Sequence, residues 1–106
     1  MRESGKLYTV EEIKKLVRPI LLGTPVKKAF LFGSYARGDA TESSDVDIII
    51  DSDGLLRGFN FFKVADEIED IFNGNADVFE VYYLSKKAEF YDSIIQKGVV
   101  GIYERQ

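Results

Sequence analysis

The stretch that decides the fold runs from Phe30 to Asp51 and reads FLFGSYARGDATESSDVDIIID. It begins as an apolar strand pattern, breaks at a Gly-Ser pair, crosses a polar loop and ends in a second strand pattern that carries Asp45 and Asp47. Side chains two residues apart in an extended chain point to the same face of the strand. The sequence therefore predicts that the two carboxylates project side by side.

Two like charges held side by side repel each other unless a cation or hydrogen-bond donors compensate them. Between Arg37 and Asp53 the sequence contains no further Lys or Arg, so a cation has to come from outside this segment. Mg²⁺ suits the position because it prefers oxygen ligands, takes one or two carboxylates and completes its shell with water and substrate phosphates. We therefore expect Asp45 and Asp47 to bind magnesium.

The Gly33-Ser34 pair predicts the other half of the same site. A glycine lets a ligand approach the backbone closely, and the N–H groups and hydroxyl of a strand-to-helix turn suit a phosphate. Taken singly, Gly33 could be a turn glycine, Ser34 a helix N-cap and Asp45 a loop cap. Taken together, these residues indicate a metal-nucleotide site.

The motifs of this segment resemble the signature of the DNA polymerase β-like nucleotidyltransferases, and the short chain resembles the minimal nucleotidyltransferase family. The residues that carry the resemblance are Gly33-Ser34, Arg37-Gly38 and Ser44-Asp45-Val46-Asp47. The order of the predicted elements agrees with that family from Thr9 onward. The resemblance implies one polymerase β-like minimal nucleotidyltransferase domain over residues 1–106.

The resemblance also implies a role for each matching residue. Asp45 and Asp47 would bind two Mg²⁺ ions, and Asp77 is the best candidate for a third carboxylate that binds metal and accepts a proton. Glu80 is the runner-up on the same predicted strand, although it faces away from Asp77. The nucleotide-binding residues implied by the resemblance are Gly33, Ser34, Arg37 and Ser44. By local chemistry alone, Arg37 could equally be a solvated surface charge and Asp77 a turn residue.

The reaction that the resemblance implies is AMP transfer from ATP to a tyrosine of a cognate HEPN-domain toxin, which would make this chain an antitoxin and a protein adenylyltransferase. One alternative is a non-catalytic module that neutralises its partner by binding it. Another is a nucleotidyltransferase that acts on a small-molecule hydroxyl. The presence of all three candidate carboxylates favours catalysis.

Composition narrows the remaining functions. The 106 residues include no Cys and no His, which excludes disulfides, thiol chemistry and a histidine base, so any catalytic base is a carboxylate. A net charge of −4 argues against broad nucleic-acid binding. The N-terminal residues lack the apolar core of a signal peptide and no apolar run is long enough to cross a bilayer, so we expect a cytoplasmic protein without a membrane partner.

The order of the remaining patterns predicts an α/β or α+β domain, with a mixed central sheet of about four strands and helices packed on it. We expect a helix capped by Thr9 that Pro19 kinks or ends near Val17-Arg18. The other predicted elements are strands 26–32, 45–50, 77–84 and 99–103, a helical turn over 35–38, a helix over 61–72 and a last helix from Ser85 to Gly98. The aromatic residues Phe59, Phe61, Phe62 and Phe72 are assigned to the core by their helical spacing, although Phe59 or Phe62 could lie exposed at a partner surface.

Overall fold

The computed structural model describes residues 6–81, 89, 92–93 and 98–105 of the chain. Its helices are α1 (Val10–Leu21), α2 (Ser34–Arg37) and α3 (Phe59–Ile71), and its strands are β1 (Lys28–Phe32), β2 (Val46–Asp51), β3 (Ala76–Glu80) and β4 (Val100–Glu104). The strands form one sheet in the order β3-β2-β1-β4, in which β1 runs antiparallel to β2 and β4 while β2 runs parallel to β3. The predicted mixed four-stranded sheet with packed helices is confirmed.

The start of α1 follows the capping box in the sequence. The Thr9 hydroxyl accepts a hydrogen bond from the Glu12 N–H at 3.0 Å, and the Glu12 carboxylate accepts one from the Thr9 N–H at 2.9 Å. The helix then buries one stripe of side chains, made of Ile13, Val17 and Leu21.

The prediction that Pro19 ends this helix near Val17-Arg18 is wrong. The helix continues to Leu21, and the next N–H, that of Leu22, still donates to the Arg18 carbonyl at 3.0 Å. Pro19 removes its own hydrogen bond to the preceding turn. Full burial of Leu21 in the core offsets this loss, because burying a leucine side chain contributes about 1.5–3 kcal/mol.

The two faces of the sheet have different surroundings. One face packs on α1 and α3 and supplies the main core, whose strand residues include Ala29, Leu31, Val46, Ile48, Ile50 and Ala76. The opposite face carries a smaller cluster around Ile49, in which the rings of Phe32 and Phe79 lie 5.9 Å apart. Because side chains alternate along a strand, Asp47 and Asp77 share this second face.

Two further predictions need correction. The third strand ends at Glu80 rather than Leu84, since Val81 already has helical conformation, and residues 82–84 lie outside the described part. Valine and tyrosine fit a strand pattern, so the alternation contained no stop signal. The helix predicted from Ser85 to Gly98 also lies outside the described residues, apart from isolated positions.

The first strand begins at Lys28 rather than at the predicted Val26.

The aromatic residues of α3 divide between the core and the surface. Phe72 is fully buried and Phe61 packs against the core, whereas Phe59 and Phe62 are 81% and 66% exposed. The assignment of all four to the core is therefore wrong for Phe59 and Phe62. Among the described helices, none combines the length and the apolar composition needed to cross a bilayer.

A buried carboxylate joins β3 to the loop after β2. Glu80 is 2% exposed, and its Oε2 accepts hydrogen bonds from the Ser52 N–H at 3.2 Å and from the Ser52 hydroxyl. The Ser52 hydroxyl oxygen in turn accepts a hydrogen bond from the Leu56 N–H at 2.9 Å. These bonds hold the ends of β2 and β3 together on the side opposite Asp77.

Replacing Glu80 by Ala should lower the free energy of unfolding by about 1–3 kcal/mol, because two buried donors of Ser52 lose their acceptor. Glu80→Gln is the matched control, since its side chain keeps an acceptor oxygen at nearly the same volume. Urea unfolding of the three proteins measures the difference. Equal losses in the two variants would contradict this account of the hydrogen bonds.

Candidate active site

The turn after β1 is shaped by a glycine that no other residue can replace without strain. Gly33 has φ +70° and ψ −147°, a region that residues with a Cβ rarely adopt. A Cβ added here would lie 2.6 Å from Oδ2 of Asp47. The backbone at Gly33 therefore lies directly against a carboxylate of β2.

The one-turn helix α2 follows from this turn. The Arg37 and Gly38 N–H groups donate to the Gly33 and Ser34 carbonyls, both at 3.0 Å. The predicted helical turn is confirmed with a shift of one residue. Its Tyr35 side chain is buried, and the Tyr35 hydroxyl accepts a hydrogen bond from the Tyr8 N–H at 3.3 Å, which ties α2 to the segment before α1.

The sheet register brings the candidate carboxylates to one end of the sheet. Asp47 and Asp77 are direct neighbours across the parallel β2–β3 pair, and Asp45 lies two residues before Asp47. The Val46 N–H donates to the Asn75 carbonyl at 2.8 Å and fixes the start of this pairing. Asp45 and Asp47 are half-buried, whereas Asp77 is exposed.

The pKa of Asp47 reflects its burial and the neighbouring carboxylates. Burial raises the pKa of the Asp47 carboxyl above its ordinary value, the charges of Asp77 and Asp45 raise it further, and Arg37 partly offsets them. The surroundings of Asp47 therefore disfavour its charged form, with burial as the main cause and Asp77 and Asp45 as further causes. A divalent cation would counteract these effects, because positive charge beside these carboxylates favours their ionised form.

The geometry fits a magnesium site that is completed by substrate. Among the described residues, no group of three or more Asp, Glu, His or Cys side chains is arranged to hold a metal ion by itself. Magnesium commonly takes only one or two carboxylates and fills its other positions with water and phosphate oxygens. Asp45 and Asp47 beside the Gly33 turn are consistent with that mode of binding.

Replacing Asp47 by Asn should raise the midpoint of thermal unfolding at pH 7. A carboxyl whose pKa is raised by folding stabilises the protein while it is protonated and loses that contribution as the pH rises through the raised pKa. The gain of the variant over the parent should therefore shrink as the pH falls towards 3.8, the ordinary value of this carboxyl. Melting curves of both proteins across this range test the prediction, and a gain independent of pH would contradict it.

The structure separates the two candidates for the third carboxylate. Asp77 lies beside Asp47, whereas Glu80 pairs in register with Ile50 at the other end of β3 and is bonded to Ser52. The predicted opposite orientation of Asp77 and Glu80 agrees with this arrangement. The placement leaves Asp77 as the candidate that can reach the site.

The two remaining nucleotide-binding candidates already have partners within the loop between α2 and β2. The Arg37 Nε donates to the Asp39 carboxylate at 3.3 Å, and both side chains are more than half exposed, so a phosphate can compete for the guanidinium. The Ser44 hydroxyl accepts a hydrogen bond from the Thr41 N–H at 2.9 Å. Ser44 thereby shapes the turn that leads into Asp45.

Sequence reasoning missed one carboxylate in this neighbourhood. The pKa of Glu69 is raised by burial and by the charges of Asp66, Asp77 and Asp70. Glu69 belongs to the last turns of α3, which pack against β3. Its place close to Asp77 depends on that packing, so no local sequence signal could have indicated it.

Comparison with known proteins assigns this arrangement to a family. The profile described as Polymerase beta, Nucleotidyltransferase matches residues 11–106. A candidate protein adenylyltransferase of Methanocaldococcus jannaschii is 49% identical over 85% of this chain and 92% of its own length. The protein adenylyltransferase MntA of Thermococcus cleftensis is 29% identical over 68% of this chain and 77% of its own length.

A solved structure shares the fold at low sequence identity. It is a complex of a tri-AMPylated Shewanella oneidensis HEPN toxin with an MNT antitoxin, and it matches this chain with a TM-score of 0.65 at 14% identity. The match covers 92% of this chain and 75% of the other. At that identity the likeness establishes the fold.

Proposed function

The chain belongs to the polymerase β nucleotidyltransferase family, and on that basis we propose that it is a protein adenylyltransferase acting as an antitoxin. In this proposal residues 1–106 form one catalytic domain that moves AMP from ATP to a tyrosine of a cognate HEPN-domain toxin. A reaction that consumes ATP fits a cytoplasmic location. The names of the relatives and of the partner in the structurally similar complex support the choice of reaction and acceptor.

One observation carries the proposal most directly. The Gly33 backbone and the Asp47 carboxylate lie so close that even a methyl group would not fit between them. A triphosphate held at the turn therefore has its phosphates beside the carboxylates. This is the geometry that phosphoryl chemistry needs, because catalysis of that reaction consists mainly of positioning and charge stabilisation.

The residues of this site would divide the chemistry as follows. The Gly33 backbone and the Ser34 hydroxyl hold the triphosphate, and Arg37 leaves Asp39 to neutralise phosphate charge. Asp45, Asp47 and Asp77 would hold two Mg²⁺ ions, which would supply positive charge for the phosphates and the leaving pyrophosphate.

The transfer itself exchanges one bond for another at the α-phosphorus. The acceptor oxygen forms a bond to that phosphorus while the bond to the bridging oxygen of the β-phosphate breaks, and pyrophosphate leaves with that electron pair. The proton of the attacking hydroxyl passes to Asp77, the exposed carboxylate of the three. The product is an AMP ester of the acceptor hydroxyl.

The exposure of the site supports a protein as the acceptor. Asp77 is exposed, and Asp45 and Asp47 are only half-buried. A protein acceptor brings its own surface to an open site.

The test is intact-mass spectrometry of the protein encoded by the neighbouring gene, after incubation with the chain, Mg²⁺ and ATP. We expect a gain of one or more AMP groups. Turnover of small hydroxyl compounds without any protein acceptor would contradict the assignment of the acceptor. A stable complex without any mass gain would instead favour a binding module.

A further inference from the structure

The segment before α1, residues 6–9, is fastened to that helix by several contacts. The capping box joins Thr9 to Glu12, and the Lys6 ammonium lies 3.1 Å from the Glu12 carboxylate. The same ammonium lies 5.1 Å from the centre of the Tyr8 ring, within the range of a cation–π contact. This bridging segment, residues 6–9, therefore has a fixed place relative to α1.

The bridging segment contacts the phosphate half of the candidate site through Tyr35. The Tyr35 hydroxyl accepts a hydrogen bond from the Tyr8 N–H at 3.3 Å, and the Tyr35 side chain is only 7% exposed. Tyr35 belongs to α2, which also carries Ser34 and Arg37, the two side chains proposed to hold the phosphates. A helix of one turn has little stability of its own, so its orientation depends on tertiary contacts such as this one.

The bridging segment contacts the carboxylate half of the site through the Tyr8 ring. This ring packs edge-to-face on Phe72, with the ring centroids 5.0 Å apart, and Phe72 is fully buried at the end of α3. The Phe72 carbonyl accepts a hydrogen bond from the Asn75 N–H at 3.0 Å, and the Asn75 carbonyl accepts one from the Val46 N–H at 2.8 Å. Val46 lies between the two carboxylates of the Asp-Val-Asp motif, so the Tyr8 ring packs on the turn that fixes the start of β2 and β3.

We propose that Tyr8 and Tyr35 are positioning residues for the nucleotide. Tyr8 contacts both halves of the site, and these contacts set the distance between the α2 turn and the carboxylates. Loss of either contact lets α2 shift relative to β2, and the Ser34 hydroxyl and the Arg37 guanidinium shift with it. Neither tyrosine touches the nucleotide in this account. The inference rests on the proposed function, because it assigns the two tyrosines a role at that same site.

Isothermal titration calorimetry of the full chain with ATP and Mg²⁺, without any acceptor, tests the proposal. Tyr35→Phe removes the hydroxyl and keeps the buried ring. We expect the Kd of ATP to rise about three- to tenfold, which matches the usual contribution of one hydrogen bond. The kcat/KM for ATP in the transfer reaction should fall by a similar factor.

Tyr103→Phe is the matched control. Tyr103 is buried to nearly the same degree, at 8% exposed, but it lies on β4, which β1 separates from β2. Its loss of a hydroxyl should leave the Kd of ATP at the level of the parent. Partial unfolding of either variant would lower the number of binding sites per chain in the titration rather than change the Kd. A purely structural role of Tyr35 would therefore leave the Kd unchanged.

A double variant tests whether the two contacts act as one bridge. Tyr8→Ala removes the ring contact with Phe72 but keeps the N–H that bonds Tyr35, and it should also raise the Kd of ATP. Tyr8→Ala combined with Tyr35→Phe should raise the Kd by less than the product of the two single effects, because loss of one contact already separates the halves. A combined effect equal to the full product, or larger, would contradict the bridging role.

The titration of the parent separates this inference from the proposed function. A parent chain that binds no ATP in the presence of Mg²⁺ would contradict the proposed function and overturn the inference with it. A parent that binds ATP, with the same Kd in Tyr35→Phe, would overturn the inference alone.

Discussion

The double substitution Asp45→Asn and Asp47→Asn should lower the rate of AMP transfer by at least about a hundredfold to a thousandfold. Even a single preorganised group that stabilises transition-state charge is worth that much, and this change removes the two carboxylates that would hold the metal beside the Gly33 turn. A discontinuous assay of AMP incorporated into the acceptor measures the rate. The acceptor should still bind, because the variant keeps the size and shape of both side chains.

The control for this experiment is Asp53→Asn, which makes the same chemical change beyond the other end of β2. Asp53 forms a surface ion pair with Lys27 and has a positive φ of 56°, a conformation that asparagine tolerates. Its transfer rate should match that of the parent. A thermal shift with Mg²⁺ and ATP gives a readout besides activity: the parent and Asp53→Asn should be stabilised, and the double variant should not. A double variant that retains the parent's rate would exclude the proposed metal-binding role.

Gly33→Ala should lower both the rate of AMP transfer and the stability of the protein. The new Cβ would lie 2.6 Å from Oδ2 of Asp47, so either the turn or the carboxylate has to move. A displacement of about 1 Å in a reacting group can cost roughly a hundredfold in rate. We expect a loss of at least that size, together with lower stability, because alanine is strained at φ +70° by about 1–3 kcal/mol.

The chain contains a closely matched control for the strain alone. Gly58 has φ +60° and ψ −136°, almost the conformation of Gly33, and a Cβ added there meets nothing within 4 Å. Gly58→Ala should therefore lose similar backbone stability but keep its transfer rate. Thermal melts and rates of both variants separate the two contributions. An equal loss of rate in both would show that strain rather than contact with Asp47 is responsible.

Sequence patterns predicted the parts of this site that depend on neighbours along the chain. The pairing of Asp45 with Asp47 follows from the alternation of an extended strand, and the turn at Gly33 followed by a helical turn follows from local backbone chemistry. The capping box that starts α1 is equally local. Each of these involves residues within a few positions of one another, so the sequence alone specified them.

Sequence patterns failed where packing outweighed a local preference. Pro19 is expected to end α1, but the helix continues to Leu21 because burial of the Leu21 side chain stabilises its last turn. Phe59 and Phe62 have the spacing of core residues, yet the face of α3 that meets the sheet excludes them. In both cases the outcome depends on free energies of burial that no short window of sequence contains.

By itself, then, the sequence determined which residues are candidates for the chemistry: a turn suited to phosphate, a pair of carboxylates and an alternating order of helices and strands. Only the tertiary structure decided which residues, distant from one another in the sequence, lie together at this site. The parallel register of β2 and β3 places Asp77 beside Asp47 and Glu80 within hydrogen-bond distance of Ser52. The sheet also places Gly33 next to the carboxylate of Asp47, which lies 14 residues further along the chain. The physical reason is that strand register is fixed by the packing of whole faces, because a shift of one residue would turn every buried side chain towards solvent.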